Sequence, residues 1–449
     1  LKRLSVVALM ATLAACSRER VGVGIDGGVS ASASAGAGAG ASASASATPT
    51  PLPPPLYNVI LLSIDSLRAD TMPWAGYARD VAPRLTELSK RAVVYTHAYS
   101  ISSFTSKSLP AMLASRYPSE MPRDGVFFTK YQGGNTMMCD VLAESGVPCV
   151  AGMAHAYLGK GYAGIDHGFA KWSLVPGITF DYNTDPFVTS QKLTTLAMEM
   201  LGDEKLTGNG DSDTSKRFFA WFHFMDPHDE YQSHKESPHF GSKLKDLYDE
   251  EVFYTDLFLG KLVDFVALQP WGKRTVIVVT SDHGEAFGEH SKWKHAQELY
   301  ETHVRVPLLF VFPEGASAPA HRTIDTPRSA IDLAPTILTL LGAKPSASMH
   351  GVSLDEEIAG GEAKPRDVVC DLPQDEYNDK RRALIHDGWK LIAFGSEERF
   401  ALYRLDGDPD EKVDLYAKEK DVAKDMVARF REVSKGIKDV APTGGIPKH

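Results

Sequence analysis

The chain has 449 residues, enough for one large domain or two smaller ones, and its 43% hydrophobic and 24% charged residues are those of a globular protein. A formal net charge of −10 argues against a bulk electrostatic grip on nucleic acid. The sequence has no strong C2H2, helix-turn-helix or Gly-rich dinucleotide-binding motif.

Residues 1–15 read as an export signal. Lys2 and Arg3 are basic, Leu4 to Leu13 are mostly apolar, and Leu13-Ala14-Ala15-Cys16 looks like a bacterial lipobox. On that reading Cys16 is lipidated and anchors the exported protein to the cell envelope, at the outer membrane or periplasmic face. The apolar stretch is too short for the ~20 residues that span a bilayer. Residues 16–56 follow as an Ala/Ser/Gly-rich and then Pro-rich linker that cannot form a core. About 40 residues of such chain reach roughly 35 Å.

From Tyr57 onward, apolar β-branched runs alternate with helical patterns. Val59–Ile64, Cys149–Gly152, Phe218–Met225, Val276–Thr280 and Pro307–Phe312 read as buried strands. Helices are predicted over Ala82–Ala92, over Asn135–Glu144 with Asn135 as cap, and over Ala330–Leu341 closed by Gly342. Tyr248, Val252, Thr255, Leu259, Leu262, Val263 and Val266 mark one face of a long helix. The alternation predicts an α/β fold, a mostly parallel sheet flanked by helices, over residues 57–345. Residues 346–449 read as a small antiparallel α+β subdomain, with a hairpin turning at His386-Asp387-Gly388, a strand at Phe400–Arg404 and a helix over Asp421–Lys435. Cys139 and Cys149 are close enough to pair, but buried free thiols are the favoured expectation; Cys370 is expected to be unpaired.

Two apolar runs end in acidic residues. Asn58 to Ile64 leads into Asp65, and Thr275 to Ser281 leads into Asp282-His283-Gly284-Glu285. Ligands of open α/β sheets bind at the carboxyl ends of strands, so two carboxylates and an imidazole delivered there point to a divalent metal. Between them, Phe104 to Pro118 reads as a hydroxyl residue entering a helix whose first turn holds Pro110. The positive end of that helix favours an anion beside Thr105.

These segments, with Met225-Asp226-Pro227-His228, Gly288-Glu289-His290, Leu299-Tyr300-Glu301, Arg305-Val306-Pro307, Asp332-Leu333-Ala334-Pro335-Thr336 and Asp387-Gly388-Trp389-Lys390-Leu391, resemble the sulfatase family of the alkaline phosphatase superfamily. The resemblance covers roughly Tyr57 to Tyr416. It implies a sulfatase-like fold and one divalent metal ion bound by Asp65, Asp282, His283 and Thr105. It implies catalytic roles for Thr105 as nucleophile and for His155, His228 and His295 around the ester oxygens or leaving group. An imidazole ligand in place of an amide leans towards manganese or zinc, with calcium still open.

The departures are chemical. Thr105 stands where sulfatases carry the cysteine or serine that matures to formylglycine, so no formylglycine is expected, and Lys107 and Leu109 replace the family's proline and arginine. Met153 stands where many members have lysine. A formylglycine hydrate releases sulfate by elimination through its second hydroxyl. A threonine ester lacks that exit and must be cut by attack at sulfur or phosphorus, which favours phosphoesters. The expected function is therefore hydrolysis of sulfate or phosphate esters, phosphoester first, on a small-molecule, glycan or lipid substrate. The alternatives are an envelope phosphoalcohol transferase and a non-catalytic binding protein that kept the fold. Glu285 is expected to orient neighbouring groups, and the pocket rim is expected from the loops Tyr117–Gly134 and Gln232–Lys243.

Overall fold

The computed structural model describes residues 57–178, 189–208, 216–316 and 321–447. The expected signal, the Cys16 lipidation site and the linker lie outside the described residues.

The larger sheet has nine strands: β1 Asn58–Ile64, β2 Val93–Tyr99, β3 Cys149–Met153, β4 Lys171–Leu174, β5 Phe219–Phe224, β6 Thr275–Ser281, β9 Arg305–Val311, β10 Arg322–Ile324 and β11 Arg328–Ser329. Between β6 and β9 a short ribbon forms from β7 Ala286–Phe287 and β8 Trp293–Lys294. The order across the sheet is β10-β2-β9-β6-β1-β5-β3-β4, with β11 also on β2. β1 lies between β5 and β6 and is parallel to both. Only β9 runs against its neighbours β2 and β6, so the sheet is mostly parallel as expected.

β1 shows why these strands read as unbroken apolar runs. Val59 and Leu61 face one core layer with the helices Thr105–Ala114, Met138–Glu144 and Leu333–Leu340. Ile60, Leu62 and Ile64 face the opposite layer with the helices Pro83–Ser89, Ser190–Leu201 and Leu244–Leu268. With both faces covered by helices, no position of the strand can be polar without a partner.

The C-terminal sheet is antiparallel, in the order β12 Val368–Leu372, β13 Arg381–His386, β14 Trp389–Phe394 and β15 Arg399–Arg404. Asp387 and Gly388 form the two-residue hairpin turn, both at positive φ. One face packs under the helix Lys420–Lys435, and the other against Tyr99, Leu299 and Val304.

Several expectations are corrected. The first helix is shorter than predicted, Pro83–Ser89, because Val93 already belongs to β2. The Asn135–Glu144 helix starts at Met138. Asn135 is not its cap; its amide donates to the carbonyls of Pro122 and Gln132, while Asp140 accepts from the Met137 N–H. The helix at Thr105 begins before Pro110, which lies inside it. Cys139 and Cys149 are not free: they form a disulfide between the Met138 helix and β3. Cys370 is buried and free.

The bridged cysteines are 10 residues apart. A cross-link closing a loop of that size stabilises by roughly 2–3 kcal/mol. The double variant Cys139→Ser, Cys149→Ser should lose about that much in urea denaturation, and dithiothreitol should destabilise the wild type but not the variant.

Candidate metal and nucleophile site

The site follows from strand register. Ile64 of β1 is paired with Ser281 of β6, so the next residues, Asp65 and Asp282, leave the sheet side by side at its carboxyl edge. Ser66 turns the chain through a left-handed conformation, φ 59°. The turn is held by the long helix: the Tyr248 hydroxyl donates to the Ser66 carbonyl and accepts from the Arg68 N–H.

Asp65 and Asp282 are both buried. Burial raises the Asp65 carboxyl, but His283 and His223 more than offset it and hold it well below the usual range. Burial and then the charge of Asp65 push Asp282 well above it. Asp282 Oδ2 has no hydrogen-bond partner among the described residues. A buried, unpartnered carboxylate oxygen facing a second carboxylate fits a cation.

His283 donates Nδ1–H to the Gly284 carbonyl at 2.9 Å, which assigns the lone pair to Nε2. That nitrogen lies 3.5 Å from Asp282 Oδ2, 3.7 Å from Asp65 Oδ1 and 2.9 Å from Thr105 Oγ1. Thr105 donates to Asp65 Oδ2 at 3.1 Å. Phe104, in extended conformation, is the N-cap residue, so Thr105 is the first helical residue and its hydroxyl faces the carboxylates. Ser108, one turn on, donates to the Asp282 carbonyl at 2.6 Å and ties this helix to the β6 end.

The sequence reading missed His223. It lies in β5, opposite Ser63 of β1, and is fully buried. Its Nε2 is 3.3 Å from Asp65 Oδ2 and its Nδ1 is 2.8 Å from Ser63 Oγ. Asp65, His223 and Asp282 each offer a ligand atom within 4.8 Å of the others. The available signal was an imidazole interrupting the aromatic run Phe219-Ala220-Trp221-Phe222-His223-Phe224, where a bare polar group is costly.

Three further predicted histidines gather above Thr105. The His295 ring stacks on His283 with centroids 4.4 Å apart and meets His228 edge-on at 4.9 Å. His155 stands 6.2 Å beyond His228, and its Nδ1 accepts from the Tyr157 N–H. His295 contacts Glu285 through Nδ1 at 3.2 Å, and Tyr231 donates to the same carboxyl at 2.8 Å. Glu285 and His295 flank the β7–β8 ribbon, so this contact closes its base. Burial, with the neighbouring His283 and His228, pushes the His295 pKa well down, and burial pushes Glu285 up to about 7. His295 is therefore neutral near pH 7, with Nδ1–H on Glu285 and Nε2 free to accept a proton.

The cavity over Thr105 measures about 380 Å³. Phe104, Phe127, Phe128 and Tyr157 make its apolar wall, and Lys294, paired with Asp229 at 2.5 Å, stands at the rim. Phe127 and Phe128 come from the expected loop Tyr117–Gly134. The expected loop Gln232–Lys243 does not line it. Its Gln232, Ser233, Ser237 and Phe240 instead bond to Glu250 and Glu251 of the long helix. The rim is completed by residues 228–230 and 294–297.

Residues 57–343 match the family described as Sulfatase, and residues 288–436 match the family described as N-sulphoglucosamine sulphohydrolase, C-terminal. Arylsulfatase K of Bos taurus is 27% identical over 227 residues, 46% of this chain and 41% of that protein. The chain thus spans about two fifths of the length of this curated relative. A putative sulfatase from Bacteroides thetaiotaomicron shares the fold with a TM-score of 0.70 at 17% identity, covering 85% of this chain and 93% of the other. The phosphonate monoester hydrolase of Agrobacterium radiobacter does so with a TM-score of 0.67 at 17% identity, covering 84% and 95%. With the family match spanning well over half of its residues, this chain belongs to the sulfatase family.

Proposed function

We propose that this chain is a metal-dependent ester hydrolase that uses Thr105 as its nucleophile and acts on phosphoesters in preference to sulfate esters. The observation behind this is the placement of the Thr105 hydroxyl, within hydrogen-bond reach of both Asp65 and His283 Nε2 at the floor of the cavity. A divalent cation held by Asp65, Asp282 and His283 would lower the pKa of that hydroxyl and offset charge on the ester oxygens.

The chain's own groups divide the remaining work. Thr105, hydrogen-bonded to Asp65, gives up its proton to water, its Oγ1 attacks the ester in line to give a threonine ester and a leaving alkoxide, and the same oxygen regains a proton when that ester is cleaved. His228, at the mouth, supplies the proton to that alkoxide. His295, neutral and held by Glu285, takes the proton of the water that cleaves the threonine ester. Threonine has no second hydroxyl for elimination, so release depends on attack at the central atom, which phosphorus accepts more readily than sulfur. The same fold in a phosphonate monoester hydrolase is compatible with phosphorus chemistry. The largely apolar wall of Phe104, Phe127, Phe128 and Tyr157 suits an ester whose alcohol presents a flat or apolar face. Export and lipid attachment at Cys16 belong to this proposal and rest on residues 1–16 alone.

In parallel assays of nitrophenyl phosphate, phosphodiester and sulfate, Thr105→Ala should lower kcat/KM on every cleaved ester by about a thousandfold or more, with unchanged circular dichroism. Wild-type activity should be higher on the phosphoesters. Equal rates for wild type and Thr105→Ala would remove the nucleophile, and sulfate preference would reverse the ranking.

His228→Ala should cost about 100-fold or more on an alkyl ester and much less on a nitrophenyl ester, whose leaving group needs no proton. A leaving-group series measures the difference.

Chelation should lower the melting temperature, and restored cation at a hundred times its Kd should return about 2.7 kcal/mol. Asp282→Asn should abolish this response in thermal scans.

A further inference from the structure

We propose that His223 is itself a ligand of the cation, and that with His283 it makes the site a mixed nitrogen–oxygen one that selects zinc over calcium. This rests on the reading above that the site binds a cation.

The first observation is placement. The parallel register of β1 and β5 sets His223 opposite Ser63, two residues before Asp65, so the imidazole comes from a central strand and reaches the same sheet edge as the carboxylates. It is fully buried between Phe222 and Phe224, where an imidazole is tolerated only if both ring nitrogens are satisfied.

The second observation is how those nitrogens are used. Nδ1 is 2.8 Å from Ser63 Oγ, which also accepts the Trp221 indole N–H at 2.8 Å. A serine oxygen has two lone pairs, so it can accept from both Trp221 and His223. That arrangement leaves a lone pair on Nε2, aimed at Asp65 Oδ2 from 3.3 Å. Two acceptors facing each other in a buried site repel unless a cation lies against both. In the other tautomer, Nε2–H donates to Asp65 and His223 only holds that carboxylate in place.

The third observation is the grouping of the donor atoms. Asp65, His223 and Asp282 already group their donor atoms within 4.8 Å, and Asp282 Oδ2 is left without a hydrogen-bond partner among the described residues. His283 Nε2 lies 3.5 Å from that oxygen. Asp282 Oδ2 lacks a partner in either tautomer of His223, so it calls for the cation in both; with the lone pair on His223 Nε2, one cation serves all four groups. Calcium takes six to eight oxygen ligands, whereas imidazole nitrogens suit zinc and its neighbours. The oxygen donors here are few. Ser66, next to Asp65, turns its hydroxyl back onto Asp65 Oδ1 at 2.8 Å.

The test is metal selection by the full chain. Protein stripped with chelator is dialysed against equimolar calcium, manganese and zinc, and bound metal is counted by mass spectrometry. The wild type should retain zinc over calcium. His223→Asn and His223→Gln should lower the ratio of zinc to calcium affinity at least about tenfold. Cobalt-loaded protein should change its ligand-field absorption in the same variants, which loss of a mere hydrogen bond to Asp65 would not require. Wild type that loads calcium from the mixture overturns the proposal without needing any variant to fold. Variants that weaken zinc and calcium equally, with unchanged cobalt bands, also overturn it. Zinc selection with no hydrolysis of any ester would sink the proposed function and leave this inference standing; no cation bound at all would sink both.

Discussion

Two carboxylates buried beside each other are the constraint around which this molecule is organised. Asp65 and Asp282 are adjacent because β1 and β6 are adjacent, parallel and in register, and each is the first residue past its strand. Like charges this close in a low-dielectric setting repel strongly, which is why one carboxyl is held low and its partner is driven high. The sheet cannot relax the conflict by moving them apart without losing strand pairing at its centre. What can relieve it is positive charge, and the side chains within reach are the imidazoles of His223 and His283 and the hydroxyls of Thr105 and Ser66.

The surrounding structure fixes these groups through short tethers to rigid elements. Tyr248 on the long helix holds the turn after Asp65, Ser108 holds the Thr105 helix to the β6 end, and the Gly284 carbonyl fixes the His283 tautomer. The donors stand on strand ends and a helix start, positions whose backbone is set by the core. The histidines nearer solvent are held differently. His228 sits in a turn, its N–H on the Met225 carbonyl, and His155 Nδ1 accepts from the Tyr157 N–H.

The fold was largely legible because a sheet covered on both faces produces unbroken apolar runs, and β1, β3, β5 and β6 all show them. The antiparallel direction of β9 was not, since an apolar run has no direction. The end of the first helix and the start of the Met138 helix were misplaced, because the onset of β2 at Val93 sets the one and the bonds of Asn135 to remote carbonyls remove it from the other. At the site, Asp65, Thr105, Asp282 and His283 were legible from the ordered motifs. His223 was not, because its meaning depends on which strand lies beside β5. The disulfide was discounted because spacing alone does not reveal that the helix start and β3 face each other.

The β7–β8 ribbon has one more implication. Its base is pinned by the contact between His295 and Glu285, while Trp293 near its tip is largely exposed. Gly288 sits at φ 111°, and a methyl group there would press against the Trp293 ring. The tip between the two strands is tied as well, by Arg68 paired with Glu289 and by His290 stacked on Tyr300. A substitution at Gly288 that displaces Trp293 would therefore reach the cavity through the adjoining Lys294 and His295, which line it.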